Sequence, residues 1–319
     1  MSPAALTSIV RSVPRVRFKN ILLATDLGSA SGPAQACAIL LARMFGAHLF
    51  ILHVDEGPGL AGQNDKHASA RNTGAAARQD LRSLANLFSG AGVAFTFLIE
   101  QGEVRETLSR VADEHAIDLI VVGTHARHGL SYLLFGSIAE SLGRSSSRPV
   151  ITVGPKVKVS FEGPLKKIVY ATDFSDESKI ALPYATSLAQ EFRADLTVFH
   201  AAPAAERIVR DRQHVETCLL NQIKNLAPAS HFPWCKVNYV IAFGETTAEI
   251  VRHANSQESD LIILGLHNSV RFTSHLPERL AYRILCEAPC PVLSVLPSTN
   301  ELKAVQVTST FLKSAASSN

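Results

Sequence analysis

Short apolar runs alternate along the first half of the chain with longer stretches in which apolar residues recur at helical spacing. The runs are too short for helices and rich in β-branched residues, so we predict strands at residues 21–24, 49–52, 93–99, 119–122 and 150–153. The stretches between them predict helices at residues 34–45, 75–89, 104–114 and 137–144. This alternation, with short connections, predicts a parallel sheet with right-handed crossovers in an open α/β layer structure.

The same order of elements returns in the second half, because the chain contains one unit that occurs twice. Ile-Leu-Leu-Ala-Thr-Asp at 21–26 returns as Ile-Val-Tyr-Ala-Thr-Asp at 168–173, an offset of 147 residues that His53 and His200 share. Later segments keep an offset of 142 residues: Gly102-Glu103 with Gly244-Glu245, 118–123 with 260–265, and Pro149-Val150 with Pro291-Val292. The change of offset indicates a long surface loop at 55–72 in the first copy. Helices are predicted in the second copy at 179–192, 208–226, 246–255 and 279–286.

The chain of 319 residues is 46% hydrophobic and 18% charged, which is enough apolar material for two domains of about 150 residues each. The repeat divides it into a flexible N-terminal arm at 1–17, a first domain at 18–154, a linker at 155–166, a second domain at 167–297 and a disordered tail at 298–319. The predicted fold class is α/β, with two tandem open parallel five-stranded sheets that carry helices on both faces in a Rossmann-like arrangement.

Charge and cysteine content narrow the range of partners. A net charge of +3 is too small for the dense basic face that nucleic acids or anionic membranes require. No apolar run reaches the roughly 20 residues of a membrane-spanning helix, and the N-terminal residues lack the order of a secretory signal, so we expect a cytoplasmic protein. The five cysteines are widely spaced and odd in number, which favours reduced, buried or inert thiols over disulfides.

Candidate chemistry lies where ligands bind an open α/β sheet, beyond the carboxyl ends of its strands. Thr25-Asp26 follows the first predicted strand, and the Asp26 carboxylate could accept a hydrogen bond from a ribose hydroxyl or an adenine amine. Gly123 follows the fourth strand and permits a sharp turn with no side chain in the way of a ligand. The sequence therefore predicts a ligand site between these two strand ends.

Gly136-Ser137-Ile138 begins the helix predicted after Gly123. The free amides and positive end of that helix would form an anion site, to which the Ser137 hydroxyl adds a donor or a metal-facing oxygen. His125 and Arg127 would balance the charge of a chain of phosphates. Ser137 has no Gly-x-Ser-x-Gly context and no evident His or Asp partner, so no catalytic residue is predicted. His125 and His128 have no third evident ligand, so no metal site is predicted.

These segments resemble the universal stress protein family, whose ATP-binding members carry Gly-x2-Gly-x9-Gly-(Ser/Thr). Gly123, Ala126 and Gly136-Ser137 stand at that spacing, and Pro149–Val153 matches the closing Pro-Val-x-x-Val. The resemblance spans Phe18 to Leu296 and implies an adenine-nucleotide α-hydrolase-like fold that binds ATP with Mg²⁺. It implies adenosine contacts from Ala24, Thr25, Asp26 and Val54, and phosphate contacts from Gly123, His125, Ala126, Gly136, Ser137 and Ile138. It also implies that the last strands, 150–153 and 292–296, pair within the chain as a pseudo-dimer. Further assembly of two chains into a homodimer stays open.

The sequence departs from the family pattern in both copies. Ala126 stands where the pattern has glycine, so its methyl group narrows the phosphate path, and a positive φ there would cost about 1 kcal/mol. In the second copy, Asn268 and Glu278-Arg279 replace the later positions of the pattern, and Pro277 removes an amide donor. A carboxylate then stands where a phosphate would bind, so we expect no ATP in the second domain.

Three functions stay open on the sequence. The first is a regulatory stress-response protein in which ATP in the first domain orders the 55–72 loop and changes a surface that a partner recognises. The second is a structural or interaction scaffold that binds no nucleotide. The third is a slow ATPase, ranked last because no general base or carboxylate pair accompanies Gly136-Ser137. His53 and His200 occur in both copies, so they are predicted to pack and hydrogen-bond within the fold.

Overall fold

The computed structural model describes residues 16–27, 31–55, 74–123, 148–158, 161–203, 211–266 and 283–296. The first half contains β1 (Asn20–Ala24), α1 (Gly32–Phe45), β2 (His48–Asp55), α2 (Gly74–Gly90), β3 (Phe95–Gln101), α3 (Val104–Glu114), β4 (Leu119–Gly123) and β5 (Val150–Val153). The second half contains β6 (Lys167–Ala171), α4 (Asp176–Ile180), α5 (Leu182–Phe192), β7 (Asp195–Ala202), α6 (Arg212–Leu226), β8 (Val237–Phe243), α7 (Thr246–Ser256), β9 (Leu261–Gly265) and β10 (Val292–Val295). A short 3-10 turn (Ala229–His231) precedes β8, and residues 283–287 are helical.

The strands form one ten-stranded sheet in the order β3-β2-β1-β4-β5-β10-β9-β6-β7-β8. Pairing is parallel within each half and antiparallel where β5 meets β10. The α/β class and the Rossmann-like strand order are therefore confirmed, and the two predicted five-stranded sheets join edge to edge. The predicted pairing of the last strands is also confirmed: Ile151 lies opposite Leu293, its own counterpart in the repeat, so a pseudo-twofold axis passes between them.

The two faces of this sheet are covered differently. On the α1 and α5 face, a single apolar cluster runs through both halves and includes Ile151 and Leu293. The rings of Phe45 and Phe192 meet across the halves in an edge-on arrangement, with centroids 6.4 Å apart. On the opposite face each half has its own separate cluster. The continuous cluster holds the halves together, because separating them would expose its apolar side chains to water.

Both halves repeat a set of polar contacts that hold the strand and helix ends. The Asp118 carboxylate accepts from the backbone N–H groups of Lys19 and Asn20 at 2.7 and 3.0 Å. Its counterpart Asp260 accepts from those of residues 166 and 167 at 2.6 and 2.9 Å. The repeated Gly-Glu pair also has a structural role, since Glu103 caps α3 and Glu245 caps α7 through backbone N–H groups.

The second half departs from the prediction where it follows β6. The single helix predicted at 179–192 is wrong, because the chain forms α4 and then α5, with Ala181 between them. Ser175 caps α4 by accepting from the Ser178 N–H, and Pro183 is the second residue of α5, where its missing N–H costs nothing. The strand predicted at 93–99 lies two residues later, at Phe95–Gln101. The predicted helix 137–144 and most of the 55–72 loop lie outside the described residues.

Segments near the domain ends make contacts across the halves. The Val16 N–H donates to Ser187 Oγ at 2.8 Å, so the last residues of the predicted arm lie against α5. In the predicted linker, the Lys158 N–H donates to the Pro289 carbonyl at 2.9 Å. None of the helices in the described ranges is long and apolar enough to span a bilayer.

Candidate functional site

The turn after β1 brings a carboxylate to the edge of the sheet. The Thr25 N–H donates to the Leu52 carbonyl at 3.0 Å, which continues the β1–β2 pairing by one residue. Thr25 Oγ1 then accepts from the Leu27 N–H at 3.1 Å, and Leu27 adopts a positive φ of 59°. This tight turn leaves Asp26 exposed, and its Oδ1 accepts from Ser31 Oγ at 2.6 Å. The strand end and the first residues of α1 therefore position the Asp26 carboxylate together.

His53 supports this turn from the neighbouring strand. Its Nδ1 lies 3.1 Å from the Thr25 carbonyl oxygen, and because a carbonyl only accepts, the ring must donate from Nδ1. The counterpart His200 makes the same bond to the Thr172 carbonyl at 2.8 Å. The predicted packing and hydrogen-bonding role of both histidines is confirmed.

The other described candidates lie at neighbouring strand ends. Ala24 ends β1 and pairs with Leu52 of β2 on one side and Val122 of β4 on the other. Ala24 and Val54 pack against the same apolar cluster, so they share one face of the sheet. Gly123 ends β4, and a Cβ built there would lie 3.3 Å from Ala34 Cβ, the nearest described atom.

The structure thus brings Ala24, Thr25, Asp26, Val54 and Gly123 to one edge of the sheet. This is the adenosine end of the predicted site together with the first residue of its phosphate segment. The remaining candidates lie outside the described residues: His125, Ala126, Gly136, Ser137 and Ile138. Their assignment to phosphate stays a prediction.

The turn after β6 has the same backbone conformation as the turn after β1, but its carboxylate lies against a different residue. Thr172 Oγ1 accepts from the Phe174 N–H at 3.0 Å, and Phe174 has a positive φ of 66°, as Leu27 does in the first half. Asp173 Oδ1, however, lies 2.5 Å from Ser175 Oγ, the residue that caps α4. The sequence analysis missed α4, although Ser175 followed by two acidic residues is a helix-start signal.

Several ionisable groups are buried away from this edge. Burial raises the pKa of the Cys37 thiol to about 12 and also raises the pKa of the Cys290 thiol. Both thiols are therefore protonated and unreactive at neutral pH, as predicted for buried cysteines. Cys218 is exposed, so it is not one of the buried thiols. Within the described ranges, His, Cys, Asp and Glu side chains nowhere gather in threes as metal ligands would.

An open, mostly parallel sheet with polar turns at its carboxyl edge defines the class of Rossmann-like α/β proteins, here duplicated in tandem. A family model described as "Universal stress protein family" matches residues 17–154 and again residues 164–295. The chain belongs to the universal stress protein family and carries two copies of its domain.

Known proteins similar to this chain include other universal stress proteins. A universal stress protein of Methanocaldococcus jannaschii is 27% identical over 151 residues, which cover 46% of this chain and 88% of that protein. A solved universal stress protein of Archaeoglobus fulgidus aligns with 88% of this chain and 97% of its own, with 17% identity and a TM-score of 0.65. Another from Archaeoglobus fulgidus, solved in complex with dAMP, aligns with 43% of this chain and 98% of its own, at 20% identity and a TM-score of 0.31.

Proposed function

We propose that the first half of this universal stress protein binds ATP with Mg²⁺ and that binding serves a regulatory role in a stress response. One observation carries the proposal: Ala24, Asp26, Val54 and Gly123 meet at the carboxyl edge of β1, β2 and β4. This is the edge at which open α/β sheets bind ligands. We also propose the division into domains 18–154 and 167–297 with the arm, linker and tail given above.

The adenosine would lie against the turn after β1. The Asp26 carboxylate has several lone pairs, so it can accept from a ribose hydroxyl or adenine amine while Oδ1 keeps its bond from Ser31. His53 fixes the Thr25 carbonyl and so limits how far this turn can move. A turn that is ordered before binding lowers the entropy cost of holding a ligand.

The phosphates would follow the segment that begins at Gly123. A side chain at Gly123 would crowd Ala34, so the glycine lets the chain leave β4 close to α1. By sequence, Gly136-Ser137 would supply the backbone amides and hydroxyl of an anion site at a helix start. By sequence, Ala126 stands where the family pattern has glycine, which favours the scaffold without nucleotide as the second candidate function.

Calorimetry with Mg²⁺-ATP tests the proposal. We expect one site per chain in the wild type and none in Gly136→Glu with Ser137→Arg, which copies the residues of the second half. Ligand at about 100 times its Kd should also stabilise the wild type by about 2.7 kcal/mol. The matched control is Glu278→Gly with Arg279→Ser, which changes the equivalent positions of the second half and should leave the first site intact.

The same experiment separates the two candidate functions. Absence of both heat and thermal stabilisation in the wild type would contradict ATP binding and favour the scaffold. Two sites per wild-type chain would contradict the proposed difference between the halves.

A further inference from the structure

We infer that two copies of this chain pair through β8, strand to antiparallel strand, so that the ten-stranded sheet continues into a second molecule. In the part of the chain that the structure describes, β8 is the outermost strand at the second-half end of the sheet, and β3 is outermost at the first-half end. The inference does not depend on whether the first half binds ATP.

The backbone groups of β8 point to two sides. The Leu196 N–H donates to the Lys236 carbonyl, and the Gly244 N–H donates to the Ala202 carbonyl, each at 2.9 Å. Because alternate residues of a strand direct their N–H and C=O groups to the same side, the even-numbered residues from 236 to 244 bond to β7. The odd-numbered residues of β8 therefore direct theirs away from the sheet: Val237, Tyr239, Ile241 and Phe243.

This outer row of backbone groups is self-complementary. With a twofold axis at Val240, Val237 lies opposite Phe243 of the second copy. Tyr239 lies opposite Ile241 of the second copy in the same register. Every member of these pairs directs its backbone groups outward, so each pair can exchange two hydrogen bonds. Val240 then faces its own copy across the axis as a pair without hydrogen bonds, in which side chains come closest.

The charges along β8 also fit a second copy. Residues 237–243 contain no charged side chain and no proline, which are the features that commonly prevent pairing at a sheet edge. The register places Lys236 opposite Gly244 of the second copy and therefore next to Glu245. Opposite charges thus meet at both ends of the paired strands.

The equivalent edge at β3 carries a charged cluster. Glu100 stands in β3 where the repeat has Ala242 in β8, and its carboxylate accepts from Arg110 of α3 at 2.8 Å. Arg110 also donates to Glu114 at 2.9 and 3.0 Å. A strand added to β3 would take these charges partly out of water, which costs free energy. This cost favours β8 over β3 as the edge that pairs.

The joint between β5 and β10 shows how this sheet continues across an axis. There the antiparallel edges meet at a pseudo-twofold axis, and α1 and α5 contribute to one apolar cluster on the same face. A twofold axis at Val240 would likewise place α6, which packs on β8, beside its own copy. Val215, Leu219 and Leu220 of α6 are half-buried and belong to none of the three apolar clusters. They leave apolar surface for this contact.

Sedimentation equilibrium over a range of concentrations tests the pairing with Val240→Lys, Val240→Glu and an equimolar mixture of the two variants. We expect the wild type to dimerise and each variant alone to have a dimer Kd at least about tenfold higher, because like charges would face each other on the axis. The mixture should recover the dimer, since a lysine then faces a glutamate. The matched control is Leu98→Lys, which changes the counterpart of Val240 on β3 and should leave the dimer intact.

Each outcome decides the inference. A wild type that stays monomeric up to its solubility limit would overturn it, and so would a Val240→Lys chain that dimerises as the wild type does. A mixture of folded variants that gains no dimer would also overturn it. An equal loss of the dimer in Leu98→Lys would place the contact elsewhere. None of these results depends on ATP, so a failure here leaves the proposed function untouched.

Hydrogen exchange of the wild type covers variants that do not fold. The amides of Tyr239 and Ile241 should exchange at least about tenfold more slowly in concentrated than in dilute protein, because pairing protects them. The amides of Asn238 and Val240 bond to β7 and should change less. Exchange of the Tyr239 amide that is independent of concentration would overturn the inference. Fast exchange would then indicate an unpaired edge, and slow exchange would indicate that another segment of the same chain covers β8.

Discussion

The two halves of this chain share the contacts that hold the sheet and differ at the edge where a ligand would bind. Asp118 and Asp260 accept from backbone N–H groups at equivalent positions, and His53 and His200 hold equivalent turns. At this edge, Asp26 accepts from Ser31 Oγ, whereas its counterpart Asp173 lies against Ser175 Oγ.

This difference separates two kinds of constraint. Contacts that every copy needs in order to fold are kept in both halves, because losing the hydrogen-bond partner of a strand-end group destabilises either half alike. The recurring contacts of Asp118 and His53 therefore indicate a role in the fold, whereas Glu278 and Arg279, which replace Gly136 and Ser137, mark by sequence where the halves diverge.

The largest expected effect tests the shared contacts. Asp118→Ala and Asp260→Ala should each lower the free energy of unfolding by about 3 kcal/mol, because each removes a charged acceptor of two backbone N–H groups. Chemical denaturation measures the change, and Asn at either position should restore part of it as a neutral acceptor. A loss in only one half would show that the halves do not share this support.

Alkaline pH should show where the halves differ in buried acids. Cys37 in α1 has its pKa raised from 9.0 to about 12, so folding favours its protonated form. That contribution is fully present below pH 9 and is lost as pH rises toward 12, which amounts to about 2 kcal/mol by pH 10.5. The Tyr170 hydroxyl contributes in the same direction above pH 10, since burial raises its pKa to about 12.

Denaturation at pH 8, 9 and 10.5 checks this prediction. Cys37→Ala should reduce the loss between pH 9 and 10.5, and Tyr170→Phe should reduce the loss above pH 10. The matched control is Cys218→Ala, which removes an exposed thiol and should leave the profile unchanged. A wild-type profile that is flat to pH 10.5 would contradict the expectation.

Variants of the matched pair His53 and His200 separate an effect on stability from an effect on ATP binding. His53→Ala and His200→Ala should each cost about 1 kcal/mol of stability, because each releases a strand-end carbonyl from its hydrogen bond. Only His53→Ala should also weaken ATP binding, by about tenfold for a turn that loses about 1.4 kcal/mol of preorganisation. Asn in place of His53 should restore part of both effects. Equal ATP affinity in both alanine variants would remove His53 from the proposed site.

The smallest expected effect lies at the joint between the halves. Thr152 and Ser294 are repeat counterparts on β5 and β10, and neither buried hydroxyl has a hydrogen-bond partner among the described atoms. Thr152→Val and Ser294→Ala should therefore each raise the free energy of unfolding by about 0.5–1 kcal/mol. A fall in stability would show that these hydroxyls are bonded.

The main elements of the fold could be predicted from the sequence because the repeat supplied an internal comparison. Two copies of the same strand endings located β1 with β6 and β4 with β9, and the apolar edges of the last strands explained why β5 meets β10. Helices α3 and α7 were predicted to within one residue from their helical spacing, and the structure shows that Glu103 and Glu245 cap their starts. The described candidates Ala24, Thr25, Asp26, Val54 and Gly123 lie at one sheet edge, and their assignment to a ligand stays a prediction.

The repeat could not predict structural features that occur in only one half. Assuming equivalence led to one helix at 179–192, although Ser175 and Pro183 carry their own start signals. The bond from Tyr170 to the Ser178 carbonyl joins a strand to a helix and has no pattern along the chain. Likewise, the bond from Ser31 to Asp26 depends on how α1 approaches the turn.

The antiparallel joint between β5 and β10 also bears on how such a protein can change over time. In a symmetric dimer of identical chains, every substitution appears on both sides of the axis, so one site cannot be lost without losing the other. Here Ile151 and Leu293 face each other across the axis as different residues of one polypeptide. A single codon change therefore alters one side only, and this covalent asymmetry allows Glu278 and Arg279 to stand in one half while the other half keeps Gly136 and Ser137.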